Sequence, residues 1–150
     1  MYCYTDCYTN LHQFCIGNHG SWCYNNSIGF IESIKTCFSK YFVFSGRATR
    51  PEFWYFYLFY IIGIFLAVLG DLALNPELLE NDEVGPWEII FILIILIPFT
   101  SVSIRRLHDV NRSGWWFLIQ FTIIGLIPFY YWMVKPSDAN SNKYGTNPAK

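Results

Sequence analysis

The sequence predicts an all-α integral membrane protein, with three transmembrane helices preceded by an interfacial amphipathic helix. Three observations predict it. Hydrophobic residues make up 53% of the chain and charged residues only 14%, where a soluble domain carries about 25% charged. Three apolar runs have the length of a bilayer. The connectors between them differ sharply in charge, as the two faces of a biological membrane do.

At 150 residues the chain is one domain with a short appendage. The appendage is residues 1–26, rich in Cys, Tyr and Asn. Cys3 and Cys7 loosely resemble a zinc pair, but the spacings to His12, Cys15, His19 and Cys23 match no standard finger. Disulfides are unexpected in a cytoplasmic segment. The expectation is a disordered extension or a mis-assigned start, holding no metal. A charged start followed by an apolar core and a cleavage site is absent, so no signal peptide is expected.

Residues 28–44 place Ile31, Ile34, Phe38 and Tyr41 on one face at helical spacing, with Glu32, Lys35 and Lys40 elsewhere. That pattern suits a helix lying in the membrane plane. Gly46 is suited to end it. Thr49 and Glu52 then form the T-x-x-E pattern of a capping box, with Pro51 in the first turn.

The first membrane helix is expected over 53–70, a run without charge. Its eighteen residues would span roughly 27 Å, close to the hydrocarbon thickness. The second is expected over 87–104, with Glu88 at its entry, and the third over 115–134. A soluble core helix would keep a polar stripe, and none of these does. Pro98 and Pro128 each free a carbonyl, and Thr100, Ser101 and Ser103 stand near the first of these bends. Trp54, Trp87, Trp115, Trp116 and Trp132 fall at segment ends, the headgroup position that amphipathic rings favour.

Lys40, Arg47 and Arg50 precede the first helix, and Arg105, Arg106 and Arg112 lie between the second and third; the 71–86 connector has acids and no Lys or Arg. Lys and Arg collect on the cytoplasmic side, so the amino terminus and the 105–112 stretch are expected inside. Three crossings would put the polar tail 135–150 outside, although it carries Lys135, Lys143 and Lys150. A re-entrant third segment, turning at Gly125 and Pro128, is the alternative.

The stretch "RRLHDVNRSGWW" concentrates chemistry: Arg105, Arg106, His108, Asp109, Arg112, Trp115 and Trp116. With Arg47, Arg50 and Glu52 it forms one collar if the helix ends meet. In the structural account, Asp109 and Glu52 pair with arginines and Ser113 caps the third helix. In the binding account, Arg47, Arg50, Arg105, Arg106 and Arg112 attract anionic headgroups, each worth roughly 1 kcal/mol near the surface. An enzyme would use His108 as general base oriented by Asp109, but adjacent residues rarely point the same way.

The motifs "GRATRPEFW" (46–54), "RRLHDVNRSGWW" (105–116) and "NKYGTNP" (142–148) resemble those of a family of small bacterial inner-membrane proteins, the YhaH-like family, domain of unknown function 805. The resemblance covers roughly residue 28 onward and omits the first 26 residues. It implies a bacterial inner-membrane location and this helical architecture, and no reaction. The expected role is therefore structural or interaction-based. The expected partners are the lipid bilayer with its anionic phospholipids, and a second copy or another membrane protein. Nucleic acid, cofactor and metal are not expected. The alternative is a subunit or small enzyme acting on a phosphorylated membrane-surface substrate.

Overall fold

The computed structural model describes residues 29–80 and 83–148. The cysteine-rich stretch 1–26, with the expectations attached to it, lies outside them. The described residues are helical: α1 (Phe30–Ser39), α2 (Arg50–Leu74), α3 (Glu77–Glu80), α4 (Pro86–Asp109), a 3-10 helix (Gly114–Phe121) and α5 (Ile123–Val134).

α1 is shorter than the expected 28–44. It buries Ser33 and Cys37, one turn apart. Beside them Phe38 meets Phe56 and Phe59 of α2 edge-on, at 5.9 and 6.1 Å between ring centres. The chain leaves the helix at Lys40. Gly46 does not end it; it makes a later turn with φ of 84°, which delivers the chain into Arg47.

α2 begins as its sequence predicts in one respect and not in another. The Thr49 hydroxyl accepts from the Glu52 amide at 3.3 Å, which satisfies one of the donors left over at a helix start. The Glu52 side chain does not complete the box. It turns instead to Arg105, 2.5 Å away.

α2 and α4 form an antiparallel hairpin. At its far end Asp71 closes the structure: its two carboxylate oxygens accept the Trp87 and Glu88 amides at 3.2 and 3.0 Å. An acid counted with the connector is thus the N-terminal cap of α4, supplied from α2. Gly85 belongs to this cap, since a Cβ there would collide with the Asp71 carboxylate. Midway, Gly63 lets the Phe91 ring close against the α2 backbone.

Pro98 leaves the Ile94 carbonyl without its helical partner. Thr100 and Ser103 do not reach it; their hydroxyls bond Leu96 and Phe99 at 2.7 Å each. The Ser101 hydroxyl meets the Lys40 and Val43 carbonyls at 3.0 and 2.6 Å. The Ile94 carbonyl is taken by the Tyr41 hydroxyl at 2.7 Å, from the loop that follows α1.

α2 and α4 are long and apolar enough to cross a membrane, yet only 6% and 28% of their apolar windows are buried. A core helix of a soluble protein would be mostly covered. The buried side chains Phe53, Phe56, Val102, Leu107, Phe129 and Met133 gather at the end where α2 starts and α4 finishes.

The third continuous helix expected over 115–134 is not there. The segment is a 3-10 helix of 8 residues and an α-helix of 12, separated by extended backbone at Thr122. The reason is local. The Thr122 hydroxyl donates to the Ile119 carbonyl at 2.8 Å and accepts from the Gly125 amide at 3.1 Å. It thereby closes one helix and opens the next. Ser113 precedes the 3-10 helix without a side-chain cap bond.

Candidate functional site: a buried arginine–carboxylate clamp

Most of the 103–116 stretch is helix rather than connector. α4 runs to Asp109, so the true loop is Val110–Ser113, with Asn111 in the left-handed region at φ 58°. Residues three and four apart share a helix face, so Arg106 and Asp109 meet on α4 itself, while Arg105 and His108 turn to other segments.

Asp109 is fully buried and carries two arginines. Its Oδ1 accepts from Arg47 Nε at 2.8 Å, and its Oδ2 accepts from Arg106 Nη1. Both guanidiniums are also buried, and both spend their remaining donors on backbone carbonyls. Arg47 reaches Asp138 at 2.7 Å, Asn140 at 2.9 Å and Gly145 at 3.3 Å. Arg106 reaches Met133 at 3.3 Å and Lys135. The latter carbonyls end α5, where the helix dipole favours a cation. One carboxylate therefore fastens the approach to α2, the end of α4, the end of α5 and the tail.

Arg105 takes a different carboxylate, the buried Glu52. Its own carbonyl accepts the Ala48 amide at 3.1 Å, which holds the approach to α2 against α4. The Cys37 thiol of α1 is buried beside this pair. Burial, then the Glu52 charge, push it from 9.0 up to about 12, so the thiol stays protonated at neutral pH. Arg105 Nε and Nη2 meet no nitrogen or oxygen partner among the described residues.

Buried Arg47, Arg105 and Arg106 outnumber Glu52 and Asp109 by one positive charge. The carbonyls of α5 and the tail meet that surplus. Buried ion pairs gain little over apolar packing, but deleting one partner strands the other charge at about 3–5 kcal/mol. The clamp determines which segments sit together more than it adds to net stability.

His108 is not oriented by Asp109. Its Nδ1 lies 3.2 Å from the Gly46 carbonyl, and its ring lies under Tyr144, 3.8 Å between centres and 5° from parallel. The Asn142 amide donates to the His108 carbonyl at 2.9 Å. Asn142 and Gly145 bond each other's backbone at 3.0 Å, making a compact turn. The imidazole is the platform on which the tail packs.

The other two arginines are exposed. Arg50 reaches the Val134 carbonyl at 3.4 Å, and Arg112 stands over the Trp132 ring at 5.3 Å. Trp116 meets Trp132 edge-on at 5.3 Å, and Trp115 is 80% exposed. Lys135 is exposed beside them. Arg50, Arg112 and Lys135 take part in no ion pair among the described residues.

All ten residues singled out in the sequence thus lie at one end of the molecule, but they separate into a buried clamp and an exposed rim. Sequence reasoning missed Cys37, Asp71, Tyr144 and the tail carbonyls. Of these, Tyr144 lies within the "NKYGTNP" motif, which carries no local sign of its contact with His108.

The family described as "Protein of unknown function (DUF805)" matches residues 41–146. The inner membrane protein YhaI of Escherichia coli (strain K12) is 34% identical over 115 residues, spanning 73% of this chain and 88% of that protein. The inner membrane protein YhaH of the same strain is 33% identical over 115 residues, spanning 73% of this chain and 89% of that one. No solved structure matches the chain.

Proposed function

The chain belongs to the DUF805 family, and on that premise we propose that it is an inner-membrane protein with an interaction role, whose cationic rim holds anionic phospholipid headgroups. The observation that carries this reading is the division among the arginines. Arg47, Arg105 and Arg106 are buried with carboxylates, while Arg50 and Arg112 are exposed beside Trp116, Trp132 and Lys135. Arg can bond a phosphate at two points, and the indoles suit the headgroup level.

The collar end carries Lys40, Arg50, Arg112, Lys135 and Lys143; the far end carries Asp71, Glu77, Glu83 and Glu88. The excess of Lys and Arg supports a cytoplasmic collar end. α1 and the loop after it then lie along that interface, with Ile31 and Phe42 exposed toward lipid.

The test uses the full chain in a neutral detergent, with phosphatidylglycerol or phosphatidylcholine added and binding read by native mass spectrometry. The protein should prefer phosphatidylglycerol. Changing Arg50 and Arg112 together to Gln should weaken that binding roughly 30-fold, at about 1 kcal/mol for each charge, while the melting temperature falls far less than in Asp109→Ala. Equal binding of both lipids by the unaltered protein would sink the proposal.

A further inference from the structure

The segment from Gly114 to Val134 is apolar, yet it runs out and back. Trp116 meets Trp132 at 5.3 Å, and farther along Phe117 meets Phe129 at 6.3 Å between ring centres. The 3-10 helix and α5 are therefore antiparallel arms, with Thr122 at the bend. Both open ends are tied to the collar. Arg112 stands over Trp132, Arg50 and Arg106 bond carbonyls of Met133, Val134 and Lys135, and the Asp138 amide bonds Asp109 at 3.2 Å.

The arms are too short to cross. At about 2.0 Å per residue the 8 residues of the 3-10 helix reach roughly 16 Å. At about 1.5 Å per residue the 12 of α5 reach roughly 18 Å. The hydrocarbon layer is about 30 Å thick. The bend also carries the most exposed large apolar side chains among the described residues, Ile123 and Ile124 at 88% and 84% exposure, with Phe121 and Ile127 beside them.

In lipid every backbone polar group must be satisfied within the protein. Thr122 does this: its amide and hydroxyl both bond the Ile119 carbonyl, and its oxygen takes the Gly125 amide. Gly125 is required by the same closeness, because a Cβ there would strike the Ile119 carbonyl.

We propose that residues 114–134 form a re-entrant hairpin that enters and leaves through the collar face, its tip seated among the acyl chains of that leaflet alone. This rests on the membrane reading above but not on headgroup binding. It places Lys135 and Lys143 on the same face as the arginines, which removes the charge conflict that three crossings create.

The test is the reaction of single cysteines with a membrane-impermeant maleimide in intact cells. The full chain is used, with its own five cysteines replaced by Ser. Glu83→Cys marks the exposed far connector and Thr146→Cys the exposed tail turn. The hairpin requires the two to differ. Glu83→Cys is expected to label in intact cells and Thr146→Cys only after lysis, and the reverse pattern would still support the hairpin, in an inverted protein. Labelling of both in intact cells, or of both only after lysis, overturns it. A chain recovered in the supernatant after lysis overturns the membrane reading itself, a separate result.

Discussion

At the scale of single residues, two kinds of arginine share one stretch of sequence, and what separates them is a carboxylate far away in the chain. Arg47 meets an acid 62 positions on; Arg50, three positions later, meets none. Asp109→Ala should therefore cost about 3–5 kcal/mol, because it leaves Arg47 and Arg106 buried without a counter-charge. Its melting curve in detergent should fall far below that of Arg112→Ala, which is expected to lie close to the unaltered protein. Cys37 makes a pH prediction. A thiol whose pKa is raised on folding, from 9.0 to about 12, binds its proton more tightly in the folded state. Its contribution is therefore full below pH 9 and is lost as pH rises toward 12. Melting temperature measured from pH 8 to 11 should drop less in Cys37→Ala than in the parent. The arginine motifs were legible in the sequence as a collar, since charge between apolar runs cannot sit in lipid. Their division was not, because helical phase fixes directions but not which distant carboxylate waits there.

At the scale of elements, the long helices could be read because each signal is local: Thr49 before Pro51, and unbroken apolar runs. The third segment could not. An apolar run of bilayer length is equally compatible with one long helix or two short ones, since both satisfy their backbone internally. Thr122 decides between them through two hydrogen bonds. Pro98 and Asp71 teach the same lesson: the freed carbonyl is met by Tyr41 and the cap of α4 comes from α2, each across a tertiary contact. Tyr41→Phe should lose about 1 kcal/mol, the worth of one hydrogen bond, while Thr100→Val should lose less, because its hydroxyl only doubles a carbonyl already within the helix. Asp71→Ala should cost about 1 kcal/mol by loss of the cap. Hydrogen exchange would show faster exchange of the Trp87 and Glu88 amides in that variant, with α5 unaffected.

At the scale of the whole molecule, the packed core lies at one end and the exposed apolar helices extend from it, an arrangement that suits a protein surrounded by lipid. The clamp joins segments that are remote in sequence, so its coupling is the feature on which the account depends. A double-mutant cycle tests it most directly: Arg47→Gln, Asp109→Asn and the two combined, each unfolded in the same detergent. Charged, fully buried partners should show an interaction energy of at least about 1.5 kcal/mol, the pair losing much less than the two single changes taken together. Strict additivity would mean that Arg47 and Asp109 do not meet in the folded protein, and would contradict the account.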